Sequence, residues 1–155
     1  MRASAAAAAP EGRDLYDEST LRTIYLRFRS DDWFEELGDF YGTDVEVPAD
    51  MTVDGELYES VGVRFRGNSS YRMTGDSLKK SFNLSVDHLD PEQRLEGYRT
   101  LNLLNANADA SLVREVLYSH IARAYIPAPE ANFVKLVVNG ESWGIYVNVE
   151  QINRD

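Results

Sequence analysis

The feature that most constrains this chain is a pair of alternating segments flanking one polar loop. Between Val61 and Asp87, Val61, Val63 and Phe65 alternate with Gly62, Arg64 and Arg66, while Phe82, Leu84 and Val86 alternate with Ser81, Asn83 and Ser85. A period of two is the signature of strands that bury one face. The loop between them carries Gly67-Asn68-Ser69-Ser70, then Gly75, then Lys79-Lys80. Backbone N–H groups, hydroxyls and cations gathered at one end of a sheet are the parts of an anion site. The same residues equally suit a solvated hairpin whose charges keep an edge soluble. Lys79 and Lys80 directly precede a strand, so at most one can point inward over a phosphate, and Lys80 is the expected one.

Charge sharpens this picture. The chain of 155 residues carries a formal net charge of −10. Residues 1–60 hold five Lys/Arg against fifteen Asp/Glu, whereas residues 61–80 hold Arg64, Arg66, Arg72, Lys79 and Lys80 against Asp76 alone. The loop is a basic island on an acidic chain. Such a balance argues against nonspecific nucleic-acid or anionic-membrane binding, which need a broad positive surface, and leaves room for one small anion. With no cysteine, a disulfide framework, a thiolate metal site and a cysteine nucleophile are excluded. Two histidines, His88 and His120, make a histidine-rich metal site improbable on composition. No apolar run reaches the ~20 residues of a membrane-spanning helix. Met1-Arg2 followed by Ala5 to Ala9 makes a poor signal peptide, so residues 1–13 read as a disordered leader or linker and 14–155 as the domain.

In order, Thr23 to Arg29 reads as a strand, then Ser30 or Asp31 starts a short helix through Trp33, Phe34 and Leu37, with Trp33 a core anchor. The acidic residues Asp31, Asp32, Glu35, Glu36 and Asp39 along it serve solubility. Val45 to Val53 is a strand whose Pro48 places it at an edge or a bulge. Asp54-Gly55 and Asn139-Gly140 are hairpin turns. Tyr98 to Asn105 is a further strand. A helix from about Ser111 to Tyr125 is expected to bury Leu112, Val113, Val116, Leu117, Ile121 and Ala124, with His120 packed at the border of that stripe. Asn132 to Val138 and Trp143 to Val149 form the last hairpin, with Trp143, Ile145, Val147 and Val149 on one face and Tyr146, Asn148 and Glu150 on the other. The expected fold class is therefore α+β, a mostly antiparallel sheet with one main packed helix.

Beyond the Arg66-to-Lys80 loop, two groupings could carry chemistry. Arg114-Glu115 lies on the helix, where an acid could hold a lysine in place or simply face solvent. Glu150-Gln151 ends the last strand, where a ligand could meet backbone and side-chain acceptors. No serine–histidine–acid triad, GxSxG elbow, GxxxxGK[ST] or GxGxxG loop is present.

Several extended motifs in one order then carry a resemblance. VGVRFRGNSS, KKSFNLSVD, GYRTLNLLNANADASLVREVL and PAPEANFVKLVVNGESWGIYVNVEQI resemble the CotH family of spore-coat and secreted proteins over about Leu15 to Ile152. The resemblance implies an atypical protein kinase using ATP and Mg2+ (or Mn2+) to phosphorylate a coat or surface protein, in a spore-coat or extracytoplasmic setting. It implies that this chain is the N-terminal lobe of a kinase-like fold and that Arg66, Asn68, Ser69, Ser70 and Lys80 form a phosphate-covering loop. Glu115 would be a partner for the lysine, and Glu150 would approach the adenine near the hinge. Glu130 departs from the family pattern, which has a basic residue after the PAP triplet. The catalytic and metal-binding aspartates of the family belong to a second lobe beyond these residues, so the chain alone is expected to be inactive. The alternative is a noncatalytic coat or surface module that binds a partner.

Overall fold

The computed structural model describes residues 14–152, so the expected leader at 1–13 lies outside the described residues. Seven strands are present: β1 (Arg22–Phe28), β2 (Val47–Val53), β3 (Glu56–Arg66), β4 (Ser81–Ser85), β5 (Thr100–Leu104), β6 (Ala131–Val138) and β7 (Glu141–Glu150). Three short helices join them: α1 (Trp33–Asp39), α2 (Ser69–Arg72) and α3 (Arg114–Ala122). The strands hydrogen-bond in the order β1-β2-β3-β4-β5-β7-β6, and β6 returns to β1 in parallel, with Ile24 opposite Leu136. All the other pairings are antiparallel.

The expected α+β class is corrected by this closure. The sheet is a closed barrel with small helices attached, rather than an open sheet and a main packed helix as in a kinase N-terminal lobe. Each strand pattern is compatible with either form. The β1–β6 pairing, between segments more than a hundred residues apart, leaves no local mark in the sequence. It removes the edges that an open sheet must protect. Pro48 accordingly sits on no edge. It pairs opposite Gly62, one residue from a bulge at which Ser60 adopts φ +50 and donates its backbone N–H to Asp50 Oδ1 at 3.0 Å.

Alternate residues of every strand fill the barrel. Ile24, Met51, Val63, Phe82, Leu84, Leu101, Leu103 and Leu136 are completely or almost completely buried in one core. Burial of this kind contributes about 1.5–3 kcal/mol per large apolar side chain. One end is plugged by α1, where Trp33 stacks on Phe28 at 4.7 Å and meets Trp143 edge-on at 5.3 Å, while Phe34 touches Phe65. Trp33 is thus the anchor that its size suggested. The other end is closed by Leu15 and Tyr16. The buried Arg22 holds this segment by donating to the Asp14 carbonyl at 2.6 Å and to Asp54 at 2.8 Å. Asn132 donates to the Leu15 carbonyl at 2.9 Å and accepts from Asn148 at 3.2 Å.

The barrel decides which face of β7 is inside, which the alternation left open, and it corrects the expected helix. In β7 the interior takes Tyr146 and Asn148, while Val147 and Val149 face outward and pack with Val116 of α3 and Ala131. Both faces of β7 are covered, so apolarity alone does not say which is inside. The helix is shorter than expected because Leu112 adopts φ +63, a left-handed conformation that cannot open a helix at Ser111. Its contact is also narrower: only Val116 and Ser119 are buried, and Val113, Leu117, Ile121 and Ala124 are exposed. The strands have already filled the barrel, so α3 has only a small patch of outer wall to pack on. His120 is exposed rather than packed, and its Nδ1 lies 2.9 Å from Glu18. No helix of the described residues is long and apolar enough to cross a membrane.

This geometry predicts that Leu117→Lys changes unfolding free energy by no more than about 0.5 kcal/mol, while Phe82→Ala lowers it by about 3–5 kcal/mol, as read by urea denaturation. A large loss from Leu117→Lys would restore the packed-helix picture. A second expectation concerns alkaline pH. Burial raises the phenol pKa of Tyr16, Tyr58, Tyr98 and Tyr146, that of Tyr98 to about 12. The unfolded phenols ionise near 10.0 while the folded ones keep their protons, so the unfolded state binds fewer protons above that pH. The stability they contribute is intact below about pH 10 and is lost as the pH climbs through about 12. Melting temperatures at pH 9 and pH 11 should differ, with the lower value at pH 11.

Candidate anion-binding cleft

Because Val63 and Phe65 point into the barrel, β3 must send Arg64 and Arg66 outward. On the neighbouring strands Asn83 lies opposite Arg64, and Asn102 lies opposite Asn83. The loop after β3 and the segment after α1 rise on either side. The result is a cleft of about 510 Å3, with Arg64, Arg66, Arg72, Asn68, Tyr41, Asn83, Asn102 and Gln151 among its lining residues.

Its floor is a directional hydrogen-bond ladder. Arg64 Nε donates to Asn83 Oδ1 at 3.2 Å, Asn83 Nδ2 donates to Asn102 Oδ1 at 2.9 Å, and Asn102 Nδ2 donates to Gln151 Oε1 at 2.7 Å. A guanidinium can only donate, so Arg64 fixes the orientation of every amide that follows. The Gln151 NH2 is left as a donor, and Asn83 and Asn102 are both buried beneath it.

The arginines are poorly neutralised. Arg64 has only the exposed Asp44 at 3.9 Å, an ion pair of little energetic weight. Among the described residues Arg66 and Arg72 make no ion pair. Burial, and then the neighbouring Arg64, pull the Arg66 guanidinium below its ordinary pKa. Two poorly neutralised cations side by side on a wall lined with N–H donors make this cleft a candidate for an anion.

A stacked pair supports the far side of the cleft. Tyr41 lies on Tyr71 at 3.6 Å with rings 12° apart, and the Tyr41 hydroxyl donates to the Gly67 carbonyl. Beneath the loop, Lys80 is 5% exposed. Its ammonium donates to the Tyr71 carbonyl at 3.3 Å, Thr74 Oγ1 at 2.6 Å and the Gly75 carbonyl at 2.7 Å, and it sits 4.6 Å from the centre of the Tyr71 ring. Lys79 is half-buried, its Nζ 5.2 Å from the centre of the Tyr146 ring, and burial lowers its pKa.

The sequence-predicted residues therefore separate. Arg66 and Asn68 line the arginine cleft. Ser69, Ser70 and Glu115 instead line a second, less polar cavity of about 360 Å3 beside Leu104 and Val147. Lys80 is under the loop, and no ion pair joins it to Glu115 among the described residues. Glu150 does not line the cleft. Its Oε2 accepts the backbone N–H of Glu130 at 3.0 Å, and the adjacent Gln151 faces the cleft in its place. Sequence reasoning missed Asn83 and Asn102, and it named Gln151 only as one of a pair with Glu150. The only available signal was their outward parity, with Asn83 next to the buried Phe82 and Asn102 next to Leu101.

Comparison with curated proteins returned no match. A family model described as CotH kinase protein matches residues 63–155, from the middle of β3 onward, and so takes in Arg64, Arg66, the loop, Lys80, the amide ladder and α3. That match covers more than half of the sequence and agrees with the ordered motifs, so the chain belongs to the CotH family.

Proposed function

We propose that this chain forms the nucleotide-holding part of a CotH-type protein kinase and that the cleft beside β3 takes the phosphates of ATP. The observation that carries the reading is the group of Arg64, Arg66 and Arg72 around one donor-lined cleft, with Arg66 and Arg72 unpaired among the described residues. Guanidinium groups suit phosphate because they offer several N–H donors in a rigid plane and stay charged. ATP, when bound, would supply the phosphoryl group. The residues of this chain would bind and orient it: Arg66 and Arg72 as phosphate donors, Arg64 through the N–H groups left after its bond to Asn83, and Gln151 through its NH2. The donor set does not fit a divalent metal. Among the described residues no three histidine, aspartate or glutamate side chains converge, so no step is assigned to such an ion. No catalytic base is assigned either.

A second reading, a noncatalytic coat or surface module, draws on the exposed apolar side of α3, where Val113, Leu117 and Ile121 face outward. It predicts an empty titration where the first reading predicts a bound nucleotide.

Calorimetric titration of ATP with magnesium into the 155-residue chain separates the two. Binding should weaken about ten- to a hundredfold in Arg66→Ala, the scale of a lost charge-assisted hydrogen bond. It should also weaken as salt rises from about 0.05 to 0.5 M. Absence of heat, or equal affinity in Arg66→Ala, would remove the nucleotide reading. The turn that follows β3 gives another expectation. Gly67 adopts φ +92, and a Cβ there would collide with the Ser70 hydroxyl. Gly67→Ala should lower unfolding free energy by about 1–3 kcal/mol and weaken ATP binding together, as measured by urea denaturation and calorimetry.

A further inference from the structure

We propose that Lys80 is a positioning residue: it holds the loop over the cleft from beneath and does not itself bind phosphate. This rests on the cleft being the anion site, but it assigns Lys80 a different role from the phosphate ligand that its place before β4 suggests. An ammonium has three N–H donors. In Lys80 all three are used, on the Tyr71 carbonyl, Thr74 Oγ1 and the Gly75 carbonyl. Among the described residues no carboxylate pairs with this buried charge, which is stabilised by these neutral acceptors and by the face of Tyr71. Moving Lys80 to a ligand would break all three bonds, leaving the Tyr71 carbonyl with only the Thr74 hydroxyl, which donates to it at 2.6 Å.

The backbone at Lys80 is equally fixed. The Tyr146 hydroxyl, buried in the barrel, donates to the Lys80 carbonyl at 2.8 Å, and Asn105 Nδ2 donates to the Lys79 carbonyl at 2.9 Å. Lys80 therefore links a rigid strand start to a loop with little purchase of its own. Helix α2 buries no side chain, and Met73 and Leu78 are largely exposed. The acceptors held by Lys80 lie at 71, 74 and 75, immediately around Arg72, which faces the cleft. Tyr71 transmits the same hold to Tyr41 and, through the Tyr41 hydroxyl, to the Gly67 carbonyl. One buried ammonium thus orders both ends of the loop that presents Asn68 and Arg72.

Two variants of the 155-residue chain test this, with two readouts each. Lys80→Met keeps the apolar stem and removes the donors. Thr74→Val keeps Lys80 and its charge and removes one of its acceptors, together with the Thr74 hydroxyl's own bond to the Tyr71 carbonyl, without threatening the barrel. The first readout is the initial rate of tryptic cleavage after Arg72, which follows local opening of the loop. The second is ATP affinity by calorimetry. Positioning predicts faster cleavage in both variants, about tenfold or more for Lys80→Met and about threefold for Thr74→Val, with ATP affinity falling in the same order. A direct phosphate ligand predicts lost affinity in Lys80→Met with wild-type cleavage after Arg72, so that only Thr74→Val, through its lost bond to the Tyr71 carbonyl, could speed cleavage. That pattern, or unchanged cleavage in both variants, would overturn the proposal. If the wild-type chain binds no ATP but both variants open the loop, the cleft reading fails while the hold by Lys80 stands.

Discussion

The parallel pairing of β1 with β6 is the constraint on which the rest of this structure depends. It turns a meandering sheet into a closed barrel and gives every strand an inside and an outside. The inside is filled by apolar side chains from all seven strands, with the Asn132–Asn148 pair admitted because the two amides hydrogen-bond to each other. Polar chemistry is thereby confined to the outer wall and the barrel ends. The family match begins at residue 63, within β3, yet the wall that carries Arg64 and Arg66 is closed by β1 and β2, which precede it. The cleft depends physically on strands outside the matched region.

Closure also explains how an acidic chain keeps cations unneutralised. Most of its carboxylates lie before residue 61, and several are spent on other tasks. Asp54 holds the buried Arg22, Glu46 binds His88 and Ser85, and Glu18 meets His120. Arg66 and Arg72 are left without a carboxylate among the described residues, and Arg66 lies in the field of Arg64. Lys80 shows a different solution to the cost of a buried charge. Its three donors are satisfied by two carbonyls and a hydroxyl, so the loop itself replaces water around the ammonium.

Much of the local structure was legible in the sequence. Asp54-Gly55 and Asn139-Gly140 both adopt the left-handed pairs of tight hairpins, with φ of 52 and 84 and of 48 and 83 degrees. The parity of Val61, Val63 and Phe65 against Arg64 and Arg66 is the parity observed, and Arg66 and Asn68 do meet in one cleft. The illegible parts were those set by what a surface packs on. The helix stripe around Leu117 has the spacing of a buried face, but the outer wall offers α3 only a small patch of Ala131, Val147 and Val149 with the partly buried Leu104, Ala106 and Phe133 beside it. The two faces of β7 are both sheltered, so their polarity did not reveal which was inside. Glu150 and Gln151 are adjacent in sequence and point to different partners, a distinction that only the position of Asn102 and Glu130 could make.

By itself, then, the sequence determined the strands, their turns, the basic loop and the family, because those are written in periods of two, in residues that tolerate positive φ, and in ordered motifs. The tertiary structure alone decided that the sheet closes, that α3 is a minor attachment, that Asn83, Asn102 and Gln151 form a ladder from Arg64, and that Lys80 lies beneath the loop. These follow from pairings between distant segments and from competition for a limited buried surface. Neither is a property of any local stretch of residues.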